Sequence, residues 1–308
     1  MNSPNPDIPT SPAAQPRVWT TLDLVNWTRS YFEKKGLEQS RLEAEMLLAE
    51  VLNCARIRLY VDFEKPVSAE HLAKFRDFVK RRGERREPLQ YILGHSQFLE
   101  LKLAVNPDVL IPRPETEMLA VWAADQAKKI ASDAPPRVLD LCTGTGCIAL
   151  HITSKTPTAR VLATDISPAA LTLARQNAES LKLSSRISFL EGDLYAPLQS
   201  AKEQPFDLIV ANPPYVAESD SATLQPEVGL HEPTIALFAP ENGLAILRRI
   251  VDASASWLKP GGYLGLEFGA GQSERVLQIA EKTGYFAELH IESDSAKIPR
   301  FLHARTKK

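Results

Sequence analysis

The stretch RVLDLCTGTGCIALHITSKT, residues 137–156, decides the fold. It opens on a short apolar run, RVLDLC, of the length of a buried strand. TGTG follows, where glycine lets the chain turn sharply and lets a ligand approach the backbone. CIALHITSKT then reads as a helix. The same grammar recurs downstream. ARVLATD (159–165) precedes a helix that Ser167 caps, and RISFLEGD (186–193) and PFDLIVANPPY (205–215) are a third and a fourth strand. A helix over 241–260 leads into a fifth, GGYLGLEFG (261–269). Short buried strands alternating with helices specify a parallel, doubly wound α/β sheet. The tail GYFAELHIESDSAKIPRFLHAR holds two strands with no helix between them, so the sheet of seven strands ends in an antiparallel pair.

Towards the N-terminus the pattern is helical. SRLEAEMLLAEVLNC places Leu42, Met46, Val51 and Leu52 near one stripe, with Glu43, Glu45 and Glu50 on the other face. Ser40 is the expected N-cap of that helix, with Glu43 as its capping-box partner. A second helix has Ser68 as cap and Leu72, Phe75, Phe78 and Val79 as its stripe. Between the helical region and the sheet, alternation in Phe98, Leu101, Leu103 and Val105, with the turn-forming Asn106-Pro107-Asp108, suggests a β-hairpin. Pro114 then sits at the start of a further helix, a position that tolerates it.

With 308 residues, 44% of them hydrophobic, the chain has room for two domains, and its formal net charge of −2 excludes a uniformly basic nucleic-acid binder. The charge run KRRGERRE (80–87) reads as a solvated helix end, with a docking patch as the alternative. Cys54, Cys142 and Cys147 form no CxxC pair, which suits a reducing, cytoplasmic compartment. The histidines lack the spacing of a zinc site, so no metal is expected. No run has the apolar length of a membrane span. The polar, proline-rich residues 1–17 read as a disordered leader.

The chemistry gathers where the strands end, because ligands of open α/β sheets bind at the carboxyl ends of strands. Gly144-Thr145-Gly146 follows the first strand. Asp165 closes the second, where a carboxylate can accept hydrogen bonds from both hydroxyls of a ribose. GTGCIA also fits the loose dinucleotide pattern, which keeps NAD in play. Asp140, just before the loop, would repel a pyrophosphate but suits the ammonium and sulfonium of S-adenosylmethionine. Asp193, after the third strand, is placed to meet an adenine amine. Asn212, Pro213, Pro214 and Tyr215 follow the fourth strand. The Asn212 side chain and the rigidly held Pro213 carbonyl offer two acceptors for the two hydrogens of a planar –NH₂ group, and Tyr215 can stack on it.

DLCTGTGCIAL, ATDIS, NPPY, LIPRPETE and EPLQYILG together resemble the HemK/PrmC family, the release factor glutamine methyltransferases, over nearly the whole chain from Trp19. NPPY alone is shared with enzymes that methylate adenine amines in DNA; PRPETE is far more specific. The resemblance implies methylation, from S-adenosylmethionine, of the glutamine amide in the Gly-Gly-Gln loop of class I peptide chain release factors, in support of translation termination. It implies cofactor contacts from Cys142, Thr143, Gly144, Thr145, Gly146, Asp165, Leu194 and Asn212, beside the Asp140 and Asp193 read above from their place, with Asn212 and Pro213 catalytic and Asn212 to Tyr215 holding the glutamine. It implies four segments: the leader, a helical release-factor-docking domain (18–86), a β-hairpin linker (87–112), and a Rossmann-like methyltransferase domain (113–308), acting as a monomer. Four positions depart from the family pattern. Cys142 stands at a usual glycine, so no positive φ is expected there. Leu194 replaces a frequent aromatic, and Glu100 and Lys297 replace glycines. A DNA adenine methyltransferase would add a basic surface and a target-recognition domain; a non-enzymatic adaptor is the other alternative.

Overall fold

The computed structural model of the protein describes residues 18–131 and 134–308; the expected leader lies outside the described residues. The described chain falls into two compact units, one ending at Leu89 and the other spanning Gln90–Lys308.

The first unit is built on the helices Thr21–Lys34, Ser40–Val51 and Ala69–Arg85. Thr20 and Asp23 close a capping box on the first, and the Ser68 hydroxyl caps the third by accepting from the His71 N–H. Phe32, Leu47, Leu48 and Phe75 are almost wholly buried at its centre. The middle helix departs from expectation twice. Ser40 is its first helical residue rather than its cap, and its hydroxyl donates to the Leu37 carbonyl instead. Glu43 is therefore free of a capping role and pairs with Arg82 (2.6 Å), an ion pair withdrawn from solvent. Glu45 is not on the polar face: it is buried, and Arg41 and Tyr60 bond to it. Of the KRRGERRE charges, Arg81 pairs with Glu87 and Arg86 donates to the Lys35 carbonyl (3.1 Å). Much of that run holds the unit together, a reading between the two expected ones.

In the second unit, the hairpin strands His95–Phe98 and Leu101–Ala104 pair antiparallel. Their reversal is at Leu99 and Glu100, not at the Asn106-Pro107-Asp108 turn, which instead follows the second strand. Leu99 takes the left-handed conformation there (φ 49°), and its N–H donates to Glu117. Asn177 fixes the other end, bonding Ala104 through both N–H and carbonyl and the Thr145 carbonyl behind them.

The large sheet has seven strands, β1 (Arg137–Leu141), β2 (Arg160–Asp165), β3 (Ile187–Glu191), β4 (Phe206–Ala211), β5 (Leu258–Glu267), β6 (Phe286–Ser293) and β7 (Pro299–Thr306). Their order is β3-β2-β1-β4-β5-β7-β6, parallel except for β7, which runs antiparallel to both neighbours. Both faces are covered, as the near-continuous apolar runs require. Val138 and Leu208 belong to the core on one face with the helix Pro114–Ile130, and Leu139, Leu141 and Ile209 to the core on the other, with the helix Ala245–Trp257. That last helix begins only after Glu241, Asn242 and Gly243, all left-handed, so the expected helix start at 241 is wrong by a turn. The sheet reverses its winding between β1 and β4, and a crevice opens at the carboxyl ends of those strands.

Candidate active site

A cavity of about 260 Å³ occupies this crevice. Cys142, Thr143, Gly144 and Thr145 line it from the loop after β1, Asp165 from the end of β2, Asp193 and Leu194 from beyond β3, and Asn212 and Pro214 from the end of β4. The sequence-derived residues thus converge on one site, with four exceptions in detail. Asp140 lies behind the wall, 1% exposed. Gly146 caps the helix Cys147–Lys155 in a left-handed conformation (φ 82°), where an added Cβ would press on Leu150. Pro213 is buried, and Tyr215 is half-buried, its hydroxyl turned to Glu267.

The loop after β1 is held by its own backbone and by two carboxylates. The Thr143 N–H donates to the Thr164 carbonyl (3.0 Å), while Gly144 and Ser167 N–H groups donate to the two oxygens of Asp165 (2.9 Å each). Burial pushes the Asp165 carboxyl above its ordinary range against these hydrogen bonds. Asp140 Oδ2 accepts from the Thr143 hydroxyl (2.6 Å) and the Ala149 N–H (3.3 Å). Its Oδ1 is buried without a hydrogen-bond partner among the described residues. Burial, with the charge of Asp165 adding, pushes the Asp140 carboxyl up to about 7 despite those two donors. A buried, half-satisfied carboxylate costs free energy until a donor or cation reaches it. A cavity backed by such a carboxyl suits the ammonium and sulfonium of S-adenosylmethionine; it does not suit a pyrophosphate.

To draw the loop into this shape the chain must leave β1 through Cys142 at φ 56°. The expectation of an ordinary φ for a non-glycine residue here is therefore wrong. The bonds made by Thr143 and Gly144 hold the left-handed turn that glycine would adopt freely, at a cost of about 1–2 kcal/mol. Lys297, at another family glycine, is left-handed as well (φ 66°), and so is Leu194 (φ 51°). Asp193 faces Arg249 (2.7 Å), an ion pair about half exposed at the cavity rim.

Around the Asn-Pro-Pro-Tyr turn lies a network that the residue patterns did not disclose. Asn212 Nδ2 donates to Thr116 Oγ1 (2.9 Å), and Thr116 Oγ1 donates to Glu267 Oε2 (2.7 Å). Tyr215 Oη donates to Glu267 Oε1 (3.1 Å). Glu267 ends β5 and is 1% exposed; burial pushes its carboxyl up to about 7, with Thr116 and Tyr215 working against the shift. Gln272 Nε2 donates to the Tyr215 carbonyl (2.9 Å) and so braces the exit of the turn. Two residues of PRPETE also gain structural meaning. Thr116 is the relay just described, and Arg113 pairs with buried Glu232 (2.8 Å), tying the start of its helix to the segment after the turn. Glu267 could have been found from sequence by the rule that located Asp165 and Asn212, since it too ends a parallel strand. Glu232, the partner of Arg113, gave no local signal.

No cluster of metal-ligating side chains occurs among the described residues, and no described helix is long and apolar enough to cross a membrane.

Comparison with known proteins gives the same answer from outside. Residues 23–94 match the PrmC N-terminal domain and residues 126–227 the methyltransferase small domain. A release factor glutamine methyltransferase of Geobacter sulfurreducens is 44% identical, over 88% of this chain and 92% of its own. One from Rhodopirellula baltica is 41% identical, over 92% and 95%. Among solved structures, the catalytic domain of hMettl16 superposes with a TM-score of 0.54 at 16% identity, over 77% of this chain and 83% of that one, a likeness of fold alone. With identity of this order along almost its whole length, the chain belongs to the release factor glutamine methyltransferase family.

Proposed function

We propose that this chain methylates the side-chain amide nitrogen of the glutamine in the Gly-Gly-Gln motif of class I peptide chain release factors, in the cytoplasm and as a monomer, without acting on DNA. The helical unit is assigned to docking the release factor. The observation that carries the reading is Asn212: it stands on the wall of the same cavity as Gly144 and Asp165, with its nitrogen already engaged and its oxygen left to accept. Asp165 would receive the ribose hydroxyls of S-adenosylmethionine, Asp140 its positive charge, and Leu194 would pack on its adenine. When bound, that cofactor would supply an electrophilic methyl whose carbon–sulfur bond would break with its electron pair on sulfur as a neutral thioether, while the amide nitrogen that takes the methyl would give up one proton to solvent.

The protein's own part is placement. Asn212 Oδ1 and the Pro213 carbonyl take the two N–H hydrogens of the glutamine, and the turn from Asn212 to Tyr215 holds its plane. An amide lone pair is delocalised and weakly nucleophilic. Two fixed acceptors stabilise the nitrogen better as it becomes tetrahedral and positive than in its planar ground state, so the transition state gains most. Orientation in a closed crevice supplies the rest. Mass spectrometry of a release factor incubated with the protein and S-adenosylmethionine tests the reading. One added methyl on the Gly-Gly-Gln glutamine is expected; an unmodified factor beside methylated DNA would reverse it.

A further inference from the structure

We propose that Thr116 and Glu267 are positioning residues for the methyl acceptor, fixing the polarity of the Asn212 carboxamide so that Oδ1 and not Nδ2 faces the cavity. The inference rests on the glutamine-amide reading above and says what makes Asn212 an acceptor.

An Asn side chain has two ends of nearly the same shape, so packing alone does not decide which one points where. Its direction must be imposed by a partner of fixed polarity. Thr116 is not such a partner by itself, because a hydroxyl both donates and accepts. Glu267 is one when ionised, since a carboxylate only accepts. Thr116 Oγ1 lies 2.7 Å from Glu267 Oε2, which commits its single hydrogen to the carboxylate. Towards Asn212, 2.9 Å away, the hydroxyl oxygen then offers only lone pairs, and Nδ2 must face it. A flipped amide would set Oδ1 against those lone pairs. It would also present an NH₂ group to the substrate's NH₂, donor against donor. The Tyr215 hydroxyl, 3.1 Å from Oε1, donates to the other oxygen and fixes the carboxylate in its own plane. The relay joins the start of the helix Pro114–Ile130, the end of β4 and the end of β5, elements far apart in sequence. It also runs the right way electrically. Positive charge develops on the glutamine nitrogen during transfer, and Glu267, when ionised, acting through two aligned hydrogen bonds makes Oδ1 a stronger acceptor.

Thr116→Val keeps the shape and removes the hydroxyl, whereas Thr116→Ser keeps the hydroxyl and removes the methyl. Both are assayed on a release factor for kcat and KM, by calorimetry for S-adenosylhomocysteine binding, and by thermal melting. T116V is expected to lose kcat by on the order of tenfold to a hundredfold. Its KM and S-adenosylhomocysteine affinity are expected to stay near wild type. T116S is expected to recover most of that loss, which a packing role would not produce. Glu267→Gln, which keeps the shape but imposes no direction, is expected to lower kcat several-fold and tests the relay at its other end. T116V or E267Q turning over like wild type overturns the inference, and so does T116S losing as much as T116V. Wild-type protein that leaves the glutamine unmethylated overturns the functional reading and this inference with it.

Discussion

If Asp140 holds the cofactor's positive charge, the affinity for S-adenosylmethionine depends on pH. The Asp140 carboxyl is buried behind the cavity wall, one oxygen has no hydrogen-bond partner among the described residues, and burial pushes it up to about 7. In the free protein it is therefore largely protonated at pH 5.5, whereas a cation beside it draws it back towards its ordinary value of about 4. A carboxyl of pKa about 7 is roughly 3% ionised at pH 5.5 and roughly 75% at pH 7.5. Binding that requires the anion weakens by the same ratio, about 25-fold or about 2 kcal/mol over those two pH units. The sign follows directly: the proton must leave before the cation is held, so affinity falls as pH falls. Calorimetric titration with S-adenosylmethionine, in two buffers of different ionisation enthalpy, reads both quantities at once. Near pH 6 it should show release of about 0.9 proton per cofactor bound.

The Asp140→Asn variant supplies the control, because it keeps the shape and removes the titration. Its affinity at pH 7.5 should be the weaker one, and most of the pH dependence should vanish. A residue should remain from Asp165, which burial also raises. If D140N kept the full 25-fold dependence, or if wild type released no proton near pH 6, the assignment of Asp140 to the cofactor's positive charge would be refuted.

Asn212→Ala should abolish methyl transfer and leave S-adenosylmethionine binding within a few-fold, since its amide is assigned to the acceptor; parallel loss of both in calorimetry and turnover would contradict that. Gly243→Ala should cost on the order of 3 kcal/mol, read as a shift in urea midpoint, because its Cβ would lie 2.0 Å from the Tyr215 carbonyl oxygen at a φ of +83°. Lys297→Gly should raise stability by about 1 kcal/mol in the same assay, since the exposed side chain now holds a left-handed turn. Without ligand, stability should fall as pH rises from about 4.5 to about 7. Asp140 and Glu267 are raised to about 7 in the folded state, so the folded chain binds protons that the unfolded chain has released; above pH 7 both states are ionised and the loss is complete. Chemical denaturation of wild type and of the D140N, E267Q double variant across that range should show a shallower slope in the variant.

Much of this architecture was legible because it depends on local spacing. The apolar runs gave every strand of the sheet, and the strand-end rule placed Gly144, Asp165 and Asn212 in one crevice. What escaped depends on contacts distant in sequence. Glu45 looks like a polar-face residue by periodicity, yet Arg41 and Tyr60 let it be buried. Cys142 looks incompatible with a left-handed turn by residue type, yet the bonds of the residues that follow over-determine it. Thr116 reads as one letter of a motif until β5 brings Glu267 to its hydroxyl, 151 positions along the chain. The turn at Glu241, Asn242 and Gly243 carries an Asn-Gly turn signal, but the close approach of Tyr215 that leaves no room for a Cβ at Gly243 comes from a segment distant in sequence.

The crevice is rich in acceptors, and that property decides between the cofactors the glycine loop allows. Asp165 lines it from one strand and Asn212 adds an amide oxygen from another, while Asp140 stands behind the wall on the strand between them. Both carboxyls are raised by burial, so the site resists negative charge and pays for the negative charge it already holds. A dinucleotide would bring a pyrophosphate to the same loop, adding anions to a pocket that cannot complete the ones it has. The pair proposed here brings the opposite. One partner carries a sulfonium and an ammonium, the other an –NH₂ that turns positive as it reacts, and each relieves a carboxylate or amide oxygen left short of a donor. The same deficit that destabilises the free protein thus selects its ligands, and it does so by sign of charge before shape enters.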